Sequence, residues 1–91
     1  MNIIYITAVH MSGGDKHEHI TEVRYTSNGQ TRTSSTADMV NWLKQAGNEA
    51  RVHDALAPGY VKVGVVNGPR PYLRTYRDNT PTDNLLYLPR Y

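Results

Sequence analysis

Residues 20–47, ITEVRYTSNGQTRTSSTADMVNWLKQAG, hold three structural signals in twenty-eight positions and decide the fold. Ile20–Thr26 alternates, with Thr21, Val23 and Tyr25 opposite Ile20, Glu22, Arg24 and Thr26, the period of a strand. Asn28-Gly29 follows, a pair that tolerates the positive φ values of a tight type I′ turn. Gln30–Ser34 is then the return strand of a hairpin. Ser35-Thr36-Ala37-Asp38 opens a helix, because Ser35 can cap the first turn and Asp38 complements the N-terminal dipole. Met39, Val40, Leu43 and Ala46 fall at helical spacing and Gly47 terminates them, so the spacing predicts a helix over 36–46. Three turns need tertiary packing to persist.

Upstream, Asn2–Ser12 places Ile4, Ile6 and Ala8 on one face and Ile3, Tyr5, Thr7 and Val9 on the other. Apolar groups on both faces suit a central strand. Gly13-Gly14 ends it, and the polar run Gly14–His19 reads as a mobile loop. Downstream, Glu49–His53 is a short strand closed by Ala57-Pro58-Gly59, and Tyr60–Val66 is the most β-like stretch of the chain. Asn67-Gly68-Pro69 turns it, and Tyr72–Arg77 returns as an antiparallel partner. Asp78–Asn84 is turn chemistry, followed by an apolar anchor of Leu85, Leu86 and Leu88. The expected architecture is one α+β domain over residues 1–91, in the order β-β-β-α-β-β-β. A single helix packs on one face of an antiparallel sheet of five to six strands.

Composition bounds the function. Ninety-one residues make one domain with a thin core, burying about 60–65% of the unfolded surface. The absence of cysteine excludes a disulfide, a thiolate zinc site and a catalytic thiol. With no Phe and one Trp, the aromatic content is seven tyrosines, whose hydroxyls favour the rim of a core or an interface. Met1–His10 has no basic leader and no stretch approaches a membrane span, so a cytoplasmic chain with no membrane partner is expected. Charges balance over residues 1–46, and the net +2 lies in residues 47–91, where five of six cations are arginine. Arginine is the better bidentate partner for phosphate and carboxylate.

Catalytic and metal motifs are weak. His17 and His19 flank Glu18 and could chelate a metal, but four donors are not at hand, and a solvated loop is the simpler reading. His10 and His53 are isolated, no acid stands in an apolar run, and Ser12-Gly13-Gly14 lacks the rest of a phosphate loop. No catalytic residue, metal or cofactor is therefore assigned. On a period of two, Tyr72, Arg74 and Tyr76 share one side of their strand while Leu73, Thr75 and Arg77 take the other. If Leu73 faces the core, a Tyr-Arg-Tyr ladder faces solvent, where guanidinium and ring can stack on a base and hold a phosphate. If the tyrosines face the helix instead, Arg74 needs an acid such as Asp78 or Asp83.

Tyr72-Leu73-Arg74-Thr75, Asp78, Thr80, Asp83-Asn84-Leu85 and Leu88-Pro89 resemble the closing signature of a family of small stand-alone proteins, a domain of unknown function. Ile6–Val9, the Ile20–Tyr25 strand, Asn28-Gly29 and the Ser35–Leu43 helix fit the same outline. The resemblance implies a small α+β fold and a bacterial or phage setting, and it transfers no activity. The motif has a structural explanation too: Asp78, Asp83 and Asn84 bonding backbone amides in turns, with Leu85 and Leu88 plugging the sheet edge.

The leading expectation is a non-enzymatic, self-associating binding module for an acidic protein or an anionic small molecule such as a nucleotide. Its candidate site is Arg70, Tyr72, Arg74, Tyr76, Arg77, Asp78, Thr80, Asp83 and Asn84. A nucleic-acid-binding domain using the same face comes second. An enzyme with His53 or His10 as base, and a purely structural homo-oligomer such as a homodimer, follow.

Overall fold

A computed structural model describes residues 2–91. Seven strands and one helix follow in the order β1 (Asn2–Met11), β2 (Ile20–Ser27), β3 (Gln30–Ser35), α1 (Thr36–Leu43), β4 (Asn48–His53), β5 (Tyr60–Val66), β6 (Tyr72–Arg77) and β7 (Thr80–Thr82). Short 3-10 turns occupy His17–His19 and Asn84–Tyr87.

Local chemistry explains the punctuation. Asn28 (φ 51°) and Gly29 (φ 79°) are both left-handed, as a type I′ turn requires, and β2 and β3 pair from Ser27↔Gln30 to Glu22↔Ser35. Ser35 Oγ accepts the Asp38 amide at 3.1 Å and caps α1. The helix stops at Leu43, three residues short of the predicted end. Lys44 turns out of it, and the Trp42 carbonyl accepts from Asn48 Nδ2 at 2.9 Å.

All seven strands form one sheet in the order β3-β2-β1-β4-β5-β6-β7. Two expectations are corrected here: the sheet has seven strands rather than five to six, and it is mixed rather than antiparallel. The parallel pair is β1 with β4, from Asn2↔Asn48 to Tyr5↔Arg51. A parallel neighbour needs a long crossover. That crossover is α1, which carries the chain back from edge strand β3 to the far side of β1. The extra strand is β7, placed where only turn residues were read. Asp78 (φ 49°) and Asn79 (φ 65°) close a second tight hairpin, so Arg77 pairs with Thr80.

Buried side chains lie on one side of this sheet and beneath α1. Ile4, Ile6, Val23, Val52, Val61, Val63 and Leu73 meet Met39 and Val40 of the helix and Leu85 of the tail. Strand β1 contains a register shift at Thr7, because Ile6 opposes Tyr25, Ala8 opposes Arg24 and Val9 opposes Val23. Opposed residues share a side, so Val9 joins Ile4 and Ile6 and Ala8 leaves them, the reverse of strict alternation. Beyond Tyr5, where β4 no longer pairs, the tail takes its place beside β1. Val9 N donates to Pro89 O (3.0 Å) and Tyr91 N to Val9 O (3.2 Å).

Candidate functional site

Strand β6 alternates as its sequence requires. Leu73 and Thr75 are fully buried, while Tyr72, Arg74 and Tyr76 share the other side and are half-buried. The three do not form a free ladder, because Arg74 is neutralised. Its Nη2 lies 3.3 Å from Asp83 Oδ1, and His17 Nε2 lies 3.7 Å from the same oxygen. The 3-10 turn His17–His19 packs against β6, so the segment read as a solvated loop contributes a buried histidine. Burial, and next the Arg74 charge, lower the pKa of His17 below the usual imidazole value. Gly14 makes that turn possible: a Cβ there would stand 2.6 Å from the His19 ring, whose Nδ1 accepts the Lys16 amide at 3.2 Å.

Other candidate residues are engaged in holding the tail. Arg77 donates through Nε to Asp54 Oδ2 at 2.9 Å, and its Nη2 pairs with the same oxygen. Asp54 is buried; Arg77, and then the Leu56 amide (2.9 Å), hold its carboxyl below the usual carboxylate range. Asn84, 2% exposed, accepts the Ala55 amide at 2.8 Å and donates to Thr82 Oγ1 at 3.1 Å. Thr82 Oγ1 in turn meets Thr75 Oγ1 at 2.6 Å. Leu85 is sealed in the core behind them, with Leu88 against its margin. Asp83 therefore meets Arg74 and His17 rather than a backbone amide. Asp78 and Thr80 lie exposed in the β6–β7 hairpin, and Arg70 stands apart in the β5–β6 connection, toward α1.

The structure assembles a different group on the side of the sheet opposite α1. Cross-strand register aligns Tyr5 (β1), Arg51 (β4), Lys62 (β5) and Tyr76 (β6) in one row over four adjacent strands. At a strand spacing of about 4.8 Å the row spans roughly 14 Å. His53 and Tyr60 form the next rank. Tyr60 is 58% exposed, with its ring centroid 4.9 Å from Tyr5 and 5.5 Å from His53. Glu49 pairs with Arg51 and approaches Lys62 Nζ at 3.6 Å, so two cations share one carboxylate. The hydrogen bond from Arg51 lowers the Glu49 pKa. Gly64 gives the Tyr76 ring its place, since a Cβ there would lie 2.8 Å from Tyr76 Cε2.

Sequence alone did not group these residues, although Tyr60 with Lys62 and Arg51 with His53 stand two apart, a spacing that puts each pair on one side of a strand. What sequence lacked was the parallel β1–β4 pairing that brings Tyr5 alongside. Of the histidines named as bases, His53 sits in this aromatic rank, and His10 Nδ1 hydrogen-bonds the Tyr91 carbonyl. Among the described residues no three His, Asp or Glu side chains converge as metal ligands, and no helix is long and apolar enough to cross a membrane.

Residues 5–89 match the family described as Protein of unknown function (DUF3892). Comparison with curated proteins and with solved structures returned no match. The chain belongs to the DUF3892 family.

Proposed function

We propose that this member of the family is a non-enzymatic binding module whose open sheet side recognises nucleotide units. One observation carries the reading: Tyr5, Arg51, Lys62 and Tyr76 stand in register across four strands, with Tyr60 and His53 beside them. Rings on a sheet stack on bases, and cations between them meet the phosphates. Tyr76 is the member of the candidate group that this reading retains, because Arg74 is neutralised by Asp83.

A single strand of nucleic acid fits better than a lone nucleotide, because a row of roughly 14 Å is wider than one base. The exposed β3 edge, Gln30–Ser35, supports self-association, since its outer backbone groups have no strand to pair with. The setting is bacterial or phage, following the family resemblance.

The test is fluorescence polarisation with labelled oligothymidylate, competed by ATP and by a poly-glutamate peptide. Oligothymidylate binds, ATP competes weakly, Tyr60→Ala weakens binding about tenfold through lost stacking, and Lys62→Ala flattens the salt dependence. Absence of oligonucleotide binding at low salt overturns the reading. Stronger competition by the acidic peptide moves the partner to a protein.

A further inference from the structure

A cleft lies on the flank of α1, away from the open sheet side. Seven of the ten lysines and arginines are engaged. Arg51, Lys62, Arg74, Arg77 and Arg90 are in ion pairs, Arg24 lies 4.4 Å above the Tyr91 ring, and Arg32 donates to Gln30. Among the described residues that leaves Lys16, Lys44 and Arg70 without such a partner. Two of those three line the same cleft, of about 380 Å³, between α1 and the β5–β6 connection. Its walls combine apolar Ile20, Ala37, Val40 and Pro71 with neutral polar Thr36 and Asn41, and no carboxylate is among its lining residues.

We infer that this cleft binds a small anion carrying an apolar body, such as an aryl or short alkyl phosphate or carboxylate, with Lys44 and Arg70 gripping the headgroup. The two cations come from separate elements, the C-cap of the helix and a loop, and line one cleft with buried Ile20 and Val40 at its floor. Pro69 and Pro71 flank Arg70 and restrict its backbone, which lowers the cost of ordering the loop on binding. Bidentate geometry suits the guanidinium to phosphate or carboxylate, and Lys44 adds a point charge. Size agrees as well, since a cleft of this volume lies in the range of small-ligand sites. The polar demand of the floor is already met internally, because Thr36 Oγ1 donates to the Ile20 carbonyl at 2.7 Å. The apolar body therefore meets an apolar surface.

Phenyl phosphate is the probe, followed by the backbone amide resonances of Ala37 and Val40 in the full chain. Benzyl alcohol and inorganic phosphate are the controls. Saturable shifts are expected with phenyl phosphate, weakened about tenfold in the double variant Lys44→Ala/Arg70→Ala and unchanged in Lys62→Ala. Both cations are exposed, so the double variant folds, which circular dichroism verifies. Benzyl alcohol binding as tightly as the anion would show an uncharged apolar hole and overturn the assignment. Inorganic phosphate binding as tightly would show a mere counter-ion site and overturn it too. An unchanged affinity in the double variant, or no saturable shift at all, has the same consequence. Lys62→Ala separates this cleft from the open sheet side, so either reading can fail alone.

Discussion

The tail clasp and the open row use the same side chains, arginine against acid with aromatic or hydroxyl neighbours, to opposite ends. In the clasp, Arg77 meets a buried Asp54, Asn84 is 2% exposed, and Thr75 and Thr82 satisfy each other. In the row, Lys62 and Tyr60 project into water and Glu49 is divided between two cations. Burial, and not residue type, decides which group is structural. A buried polar group must find its partner inside the protein, whereas an exposed one remains available.

Four tests bear on that contrast. Leu85→Ala, in the fully buried anchor behind the clasp, should have the largest effect. A loss of about 2–5 kcal/mol in urea unfolding is expected, and a loss under 1 kcal/mol would mean that the tail is not part of the core. Asn84→Ala leaves the Ala55 amide without its acceptor and should cost about 1–3 kcal/mol. Amide exchange at Ala55 should accelerate with it.

The third test is pH. Asp54 is held below the ordinary carboxylate range, chiefly by Arg77, so between the folded and unfolded values the unfolded chain binds more protons. Its contribution is complete above about pH 4 and is lost as pH falls through the folded value. Arg77→Gln should therefore flatten the acid limb of the stability curve. His17 adds a slope of the same sign: its lowered pKa gives stability that is complete above about pH 6.5 and lost as pH falls through the folded value. His17→Gln should remove the slope just below neutrality. The smallest effect belongs to the open row, where Tyr60→Ser and Lys62→Ala should each stay within about 0.5 kcal/mol of the parent. Destabilisation beyond that by Lys62→Ala would make the row structural and dissolve the contrast.

Much of the fold was legible because it rests on local chemistry. Asn28-Gly29 and Ser35–Asp38 act within four residues, and Leu73 sits at the right parity to face inward. Of the structural explanation for the tail motif, Asn84 does accept a backbone amide and Leu85 does anchor the tail, whereas Asp83 meets Arg74 and His17 instead. What sequence did not yield were choices between distant partners. Nothing in Asn48–His53 shows that it lies parallel to β1 rather than beside β3. The answer comes from how α1 crosses the sheet. The alignment of Tyr5 with Arg51 depends on that choice, and the register shift at Thr7 in the β1–β2 pairing and the burial of His17 against β6 are likewise not written in local spacing. The candidate group for binding was accordingly half displaced, with Tyr76 on the open side and Arg77 and Asn84 in the clasp. Asp78-Asn79 was read as a turn, but its two left-handed residues were not seen to close a hairpin.

The short parallel seam between Asn2–Tyr5 and Asn48–Arg51 also sets an order of events during folding. The β2–β3 and β5–β6 hairpins can close from neighbouring residues, but the seam joins positions 46 apart and must wait for the crossover to form. Until it zips, the inner edges of β1 and β4 are both bare, and β1 is an apolar strand. Changes at Ile4 or Ala50 should therefore slow the approach to the native state as well as weaken it, and newly made chains are most prone to clump in that interval.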